Sequence, residues 1–268
     1  MVAFSGSDPV GVLIGAKRPS GTLVHTIAVH PDHRRQGHGR HLLTSLGSKL
    51  AILGPPRMIA EVPETLAAGC ELFRASGYVQ EALLTDYVLQ RDENAARDVT
   101  GAPPPGRVND GFVIPVTIDD LAANGLLDGA ETHPQVCWER SVETLTARKE
   151  DIAGLAVASD ERIEAYLLYA ARGVDPPAFA PGGQYDLRRD VAGALAEPGG
   201  TDILSLRSFI EDGGARLTQL LSRLRAQGRS SIRFPKLHPG EIPKQFLETL
   251  GFRPVQAHRL YAAKARSN

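Results

Sequence analysis

Hydrophobic and polar positions change rhythm several times along this 268-residue chain. In the first part, MVAFS and VGVLIGA read as short strands. From Val24 to His30, the alternation of His25, Ile27 and Val29 against Thr26, Ala28 and His30 predicts a strand that stops at Pro31. Leu42, Leu43, Leu46 and Leu50 then fall on one helical face. A strand over 57–62 (RMIAEV), a helix over 66–76 closed by Gly77, and a strand over 82–89 complete this part. Periodicity disappears in RDENAARDVTGAPPPGRVND, residues 91–110, which reads as a linker.

Beyond it the pattern repeats. A strand over 112–119, helices over 121–129 and 138–149, and strands over 154–159 and 162–170 come first. A Pro- and Gly-rich insert over 172–201 follows, long enough to serve as a flap. A strand over 203–210 then meets Gly213 and Gly214, and Leu217, Leu220, Leu221 and Leu224 form a helix face. After a strand over 231–234, FLETLGF (246–252) echoes LFRASGY (72–78). Gly39 lies 38 residues before Gly77, Gly214 lies 37 before Gly251, and a tyrosine follows each second glycine by ten positions, at Tyr87 and Tyr261. Two tandem α/β modules are expected: residues 1–91 and 112–268, joined by a linker over 92–111. The second has about 100 residues ahead of Gly214, whereas the first has only 38 ahead of Gly39. A front strand and two helices are therefore missing from the first. The expectation is a chain that starts downstream of its natural beginning, or a gap covered by another protein surface. An uncovered apolar sheet edge would favour a homo-oligomer.

The richest chemistry sits in the loop RRQGHGR. Gly37 and Gly39 let backbone amides approach an anion, Arg34, Arg35 and Arg40 add charge, and the following helix points its unpaired amides at the same place. These features suit a pyrophosphate. The second copy reads IEDGGAR, where Glu211 and Asp212 would repel one. A dinucleotide fingerprint fits worse, since G-x-G-x-x-G and the acidic residue about 20 positions later are both lacking.

Composition narrows the field. A net charge of −1 gives no bulk attraction to nucleic acid or anionic membrane, so the basic loop suits a small phosphorylated ligand. The N-terminus has no signal-peptide pattern, no apolar run reaches the ~18 residues of a membrane span, and a cytoplasmic protein is expected. Cys70 and Cys137 have no metal-ligand or redox spacing and are expected to be structural; no metal is required.

With its flanking strand and helix, the loop resembles the GNAT superfamily of acyl-CoA N-acyltransferases. Its signature of Arg or Gln, two residues, Gly, one residue, then Gly or Ala is matched by Arg34, Gly37 and Gly39. Val29, Pro31 and the Leu42–Leu43 pair fit the surrounding pattern. The resemblance implies two modules, each a mixed, mostly antiparallel twisted sheet flanked by helices. It also implies acetyl-CoA as co-substrate, held by Ile27, Ala28 and Val29 along the pantetheine arm. Arg34, Arg35, Gln36, Gly37, His38, Gly39 and Arg40 would hold the pyrophosphate. Direct acetyl transfer to an amine follows, the acceptor being a small molecule or a peptide.

The resemblance has gaps. The tyrosine that often protonates the departing thiolate is Phe73 here, the early Glu of the strand is replaced by Leu23, Val24 and His25, and the Asn after the fifth strand gives way to Thr65 and Leu66. Losing the acid costs little, because a thiol of pKa about 8.5 leaves as thiolate near neutral pH for about 2 kcal/mol. Deprotonating an alkyl ammonium of pKa about 10.4 costs about 4–5 kcal/mol at pH 7, so a base matters more. His25 and Glu61 are the nearest candidates. The alternative is an acyl-CoA-binding regulator or scaffold without catalysis.

Overall fold

The computed structural model describes residues 1–89, 112–127, 136–171, 200–227 and 231–265. The linker and nearly all of the Pro- and Gly-rich insert lie outside the described residues. The first module supplies β1 (Val2–Ser5), β2 (Asp8–Lys17), β3 (Thr22–Val29), α1 (His38–Leu53), β4 (Arg57–Pro63), α2 (Ala67–Ala75) and β5 (Val79–Leu89). The second opens with β6 (Phe112–Val116), α3 (Ile118–Ala123), α4 (Val142–Ala147), β7 (Ala153–Ala158) and β8 (Ile163–Ala171). It closes with β9 (Thr201–Ser208), α5 (Ala215–Ala226), β10 (Ile232–Leu237), α6 (Lys244–Thr249) and β11 (Arg253–Lys264). The expected helix over 138–149 is instead broken. Trp138–Arg140 is a single 3₁₀ turn, and Ser141 caps a fresh helix by accepting from the Thr144 amide.

The eleven strands of the described residues join one sheet in the order β1-β2-β3-β4-β11-β5-β10-β9-β8-β7-β6. The last strands are exchanged between the copies: β11 runs antiparallel to β4 of the first module, and β5 antiparallel to β10 of the second. β5 and β11 also pair with each other, which makes a pseudo-twofold axis at the sheet centre. The two tyrosines that mark the repeat are exchanged with their strands. Tyr261 lies in the core of the first module with Leu42, Leu46, Phe73 and Tyr78, whereas Tyr87 lies in that of the second with Leu220, Phe234 and Leu247.

Helices α1, α2, α5 and α6 cover one face of the sheet; α3 and α4 cover the other over the second module. Among the described residues, β1 is the edge strand of the first module and no first-module helix lies on the face that α3 and α4 cover in the second. Part of the corresponding face is covered from within: Cys137, fully buried, packs with Leu84 and Leu260 and against Ile59. Beside it, the Arg18 guanidinium lies 3.5 Å over the Trp138 ring and donates to Ser141 Oγ and the Trp138 carbonyl. At the sheet edge Val2 and Phe4 remain exposed. No described helix is long and apolar enough to cross a membrane.

Candidate functional site

β3 and β4 run parallel and pair only at Thr22–Met58 and Leu23–Ile59, after which they splay. Across β3, Ile14 pairs with Thr26 while Gly15 pairs with Val24, which leaves His25 as the extra residue of a bulge beside the opening. Ile27 packs against the helical core, Ala28 is exposed on the opposite face, and neither these residues nor Val29 pair with β4. Their backbone is available to an extended ligand.

The strand ends in a 3₁₀ turn, Pro31–His33. Arg34 Nε donates to the Val29 carbonyl at 3.1 Å and Gln36 Nε2 to the Asp32 carbonyl at 3.1 Å, so both side chains brace the loop. Arg35 has φ 64° and Gly37, the N-cap of α1, has φ 89° without a side-chain cap. Gly37 suits this left-handed conformation, and an added Cβ there would meet nothing within 4 Å, so it would project into open space. Within the described residues, the amides of Arg35, Gln36, Gly37, His38, Gly39 and Arg40 donate to no acceptor. They lie at the positive end of a 16-residue helix. Arg34, Arg35 and Arg40 are exposed; Arg35 makes only a surface contact with Glu71 at 3.7 Å. Gly39 allows close packing of Leu72, whose nearest methyl would lie 3.2 Å from an added Cβ. This donor set fits a pyrophosphate.

The two candidate bases occupy different settings. His25 is exposed on its bulge. The Glu61 side chain is 3% exposed; it accepts from Lys236 Nζ at 2.9 Å and from the Trp138 amide at 2.6 Å. Burial works against the Lys236 ammonium, yet Glu61 and Glu139 outweigh it and push its pKa upward. Phe73 is buried, with Tyr261 stacked at 6.0 Å between centroids and Tyr78 edge-on at 5.1 Å. Burial pushes the Tyr78 hydroxyl up to about 12, and it faces Met58 Sδ.

A second buried polar cluster, invisible as a motif, sits near the pseudo-twofold axis. Asp86 accepts from Arg233 at 3.0 Å and from the Lys236 amide at 2.7 Å, and lies 3.3 Å from His258 Nε2. Burial opposes ionisation of Asp86, but His258, Arg233 and the Lys236 amide prevail and hold its pKa below the usual carboxylate value. A lone carboxylate within the apolar strand LLTDYVL is the only sequence signal for it.

The second module has the same frame with the cradle filled. Its N-cap is Gly214, φ 89°, which corrects the alignment: Gly214 corresponds to Gly37, the other N-cap, rather than to Gly39. Arg216 then stands in the place of Gly39. The Asp212 carboxylate accepts from the amides of Gly214 and Arg216, both at 2.9 Å, and pairs with the Arg216 guanidinium at 3.2 Å. Asp212 thus supplies internally the anion that the helix terminus attracts. The splay is also bridged. Leu204 is the bulge residue corresponding to His25, and its carbonyl accepts from Arg140 Nε at 3.0 Å. The same guanidinium reaches the Pro235 carbonyl on β10 and pairs with Glu241.

Comparisons agree with this architecture. The acetyltransferase (GNAT) domain model matches residues 1–80. No curated protein matches the sequence. Among solved structures, a tandem GNAT protein from the clavulanic acid biosynthesis pathway, without AcCoA, is 17% identical with a TM-score of 0.61, covering 100% of this chain and 82% of its own. A GCN5-related N-acetyltransferase from Sphaerobacter thermophilus is 13% identical with a TM-score of 0.59, covering 97% and 78%. The GCN5-related glucosamine N-acetyltransferase region of a fungal multi-domain GH3 β-N-acetylglucosaminidase is 13% identical with a TM-score of 0.62; the match covers 97% of this chain and only 32% of that longer one. At such identities these likenesses establish the fold. Residues 1–80 thus match the acetyltransferase (GNAT) domain model, and the chain shares the fold of the tandem GNAT structure.

Proposed function

We propose that the chain is an acetyl-CoA-dependent N-acetyltransferase whose first module holds the co-substrate and whose second module is chiefly scaffold. The observation that carries this reading is the row of unengaged amides from Arg35 to Arg40, set at the open end of the β3–β4 splay. Acetyl-CoA supplies an activated acyl group on a thiol leaving group. Backbone groups of Ile27, Ala28 and Val29 bind the extended arm as a strand would. The Arg35–Arg40 amides and the exposed arginines hold the pyrophosphate. The His25 bulge directs backbone out of the ladder toward the opening, which supports a donor to the developing oxyanion there. Of the two candidate bases, His25 is the better, because the Glu61 carboxylate is already committed to Lys236 and the Trp138 amide. Phe73 offers no proton, and the Tyr78 hydroxyl is a weak acid facing Met58, so the thiolate departs without a side-chain acid. Positioning of thioester and amine carries most of the rate.

A non-catalytic acyl-CoA-binding regulator is the second reading, favoured by Phe73 in the acid's place and by the engagement of Glu61. Calorimetry with acetyl-CoA, on the parent chain and on Gly37→Glu, followed by turnover on a panel of primary amines, tests both. Binding that the substitution abolishes, together with turnover of any amine, supports the enzyme. Binding without turnover supports the regulator, and no binding by the parent refutes both.

A further inference from the structure

A cavity of about 1050 Å³ lies over the splay of the second module, walled in part by the β2–β3 turn and β4 of the first. Its apolar lining includes Ile59, Val142, Leu204, Ile210, Phe246 and Leu260. Four guanidiniums face it, and three are already satisfied. Arg18 is held by Ser141 and Trp138, Arg57 is bidentate to Glu81, and Arg140 pairs with Glu241. The fourth, Arg207, projects from β9 beside Tyr166, is half-buried, and has neither an ionic nor a hydrogen-bond partner among the described residues. Ala28 occupies the corresponding place in the first module, so the cation is specific to this cavity.

We propose that this cavity is a second ligand site, for a small monocarboxylate with an apolar body, whose carboxylate pairs with Arg207. The occupant is not acyl-CoA: Arg140 bridges the slot that the pantetheine arm needs, and Asp212 fills the cradle. One unsatisfied guanidinium selects one anionic group, and its planar fork suits a carboxylate. An unpaired, half-buried cation against apolar walls has lost part of its hydration, which the ligand's charge restores. The acids at the cavity are accounted for. Glu143 accepts from Ser20 Oγ, Glu241 pairs with Arg140, Asp212 pairs with Arg216, and Glu211 is solvent-exposed. Cavities of this size and lining are typical of small-molecule sites. This inference is independent of the acetyltransferase reading, because it rests on this cavity and Arg207 and not on the Arg35–Arg40 cradle.

The test is calorimetry on the full chain with octanoate and its neutral analogue octanamide, for the parent, Arg207→Met, Arg207→Lys and Gly37→Glu. Octanoate is expected to bind at least about tenfold more tightly than octanamide. Arg207→Met should remove that preference and Arg207→Lys should retain part of it, since a point charge replaces a bidentate fork. Gly37→Glu should leave it unchanged. Arg207 makes no pair among the described residues, so the thermal midpoints of its variants should equal that of the parent, which separates lost binding from lost folding. Equal affinity for the two probes, octanoate binding unaffected by Arg207→Met, or competition by acetyl-CoA would each overturn the proposal.

Discussion

The Glu61–Lys236 pair gives the sharpest quantitative test, because it decides whether Glu61 joins the modules or performs chemistry. At 2.9 Å and an effective dielectric of about 20, the pair's Coulomb attraction is about 6 kcal/mol. Desolvating two charges offsets much of this, so the net value of the intact pair is small. Removing one partner is different. Glu61→Gln leaves the Lys236 ammonium, 17% exposed, with Glu139 at 3.5 Å as its remaining acidic partner. The expected destabilisation is about 3 kcal/mol, the lower end for a broken buried pair, since Lys236 retains some solvent. Lys236→Met should cost a similar amount by stranding Glu61. The double variant Glu61→Gln, Lys236→Met should then lose much less than the two added together, with a coupling of about 2 kcal/mol in a urea-unfolding cycle. Acetyl transfer, measured on folded protein, should survive Glu61→Gln. Wild-type stability in Glu61→Gln together with abolished turnover would refute this and make Glu61 the base.

Three further outcomes follow from the geometry. Asp86 has a folded-state pKa below its unfolded value, so its contribution is full above about pH 3.9 and is lost as pH falls through the lower folded value; Asp86→Asn should lower stability at pH 7 and flatten the acid limb of the pH–stability curve, and an unchanged limb would remove Asp86 from the account. Gly37→Ala should cost only the left-handed backbone strain, about 1–2 kcal/mol, whereas at Gly214, with the same φ of 89°, a Cβ would lie 2.3 Å from the Phe246 ring and should cost about 1–3 kcal/mol more; thermal midpoints that fall equally would contradict the packing. Tyr261→Ala, at the far end of the chain, should destabilise by about 3–5 kcal/mol, and amide exchange should quicken in α1 and α2 of the first module, a pattern that an unexchanged β11 would not give.

Local signals carried much of this molecule. The strand ending before Pro31, the loop with Gly37 and Gly39, and the leucine face of α1 were legible because each depends on periodicity and turn chemistry within a few residues. The repeat was legible in LFRASGY and FLETLGF, and the acidic character of the second cradle in Glu211 and Asp212. The same reading aligned Gly39 with Gly214, since spacing alone does not reveal which glycine adopts φ 89° at the helix start. Nor did it separate Glu61 from His25, as a carboxylate on a strand looks the same whether solvated or paired across 175 residues.

The exchange of β5 and β11 lay beyond local reading for a physical reason. Ladder hydrogen bonds come from the backbone and are indifferent to sequence, so each last strand satisfies either neighbour equally well in its local pattern. The choice is made by what packs on the two faces: Tyr261 against Phe73 and Tyr78, Leu260 against Cys137 and Leu84. The bridging of the second splay by Arg140 and the lack of a partner for Arg207 among the described residues have the same origin. A charge's role depends on which distant groups the fold brings beside it, and spacing along the chain carries no record of them.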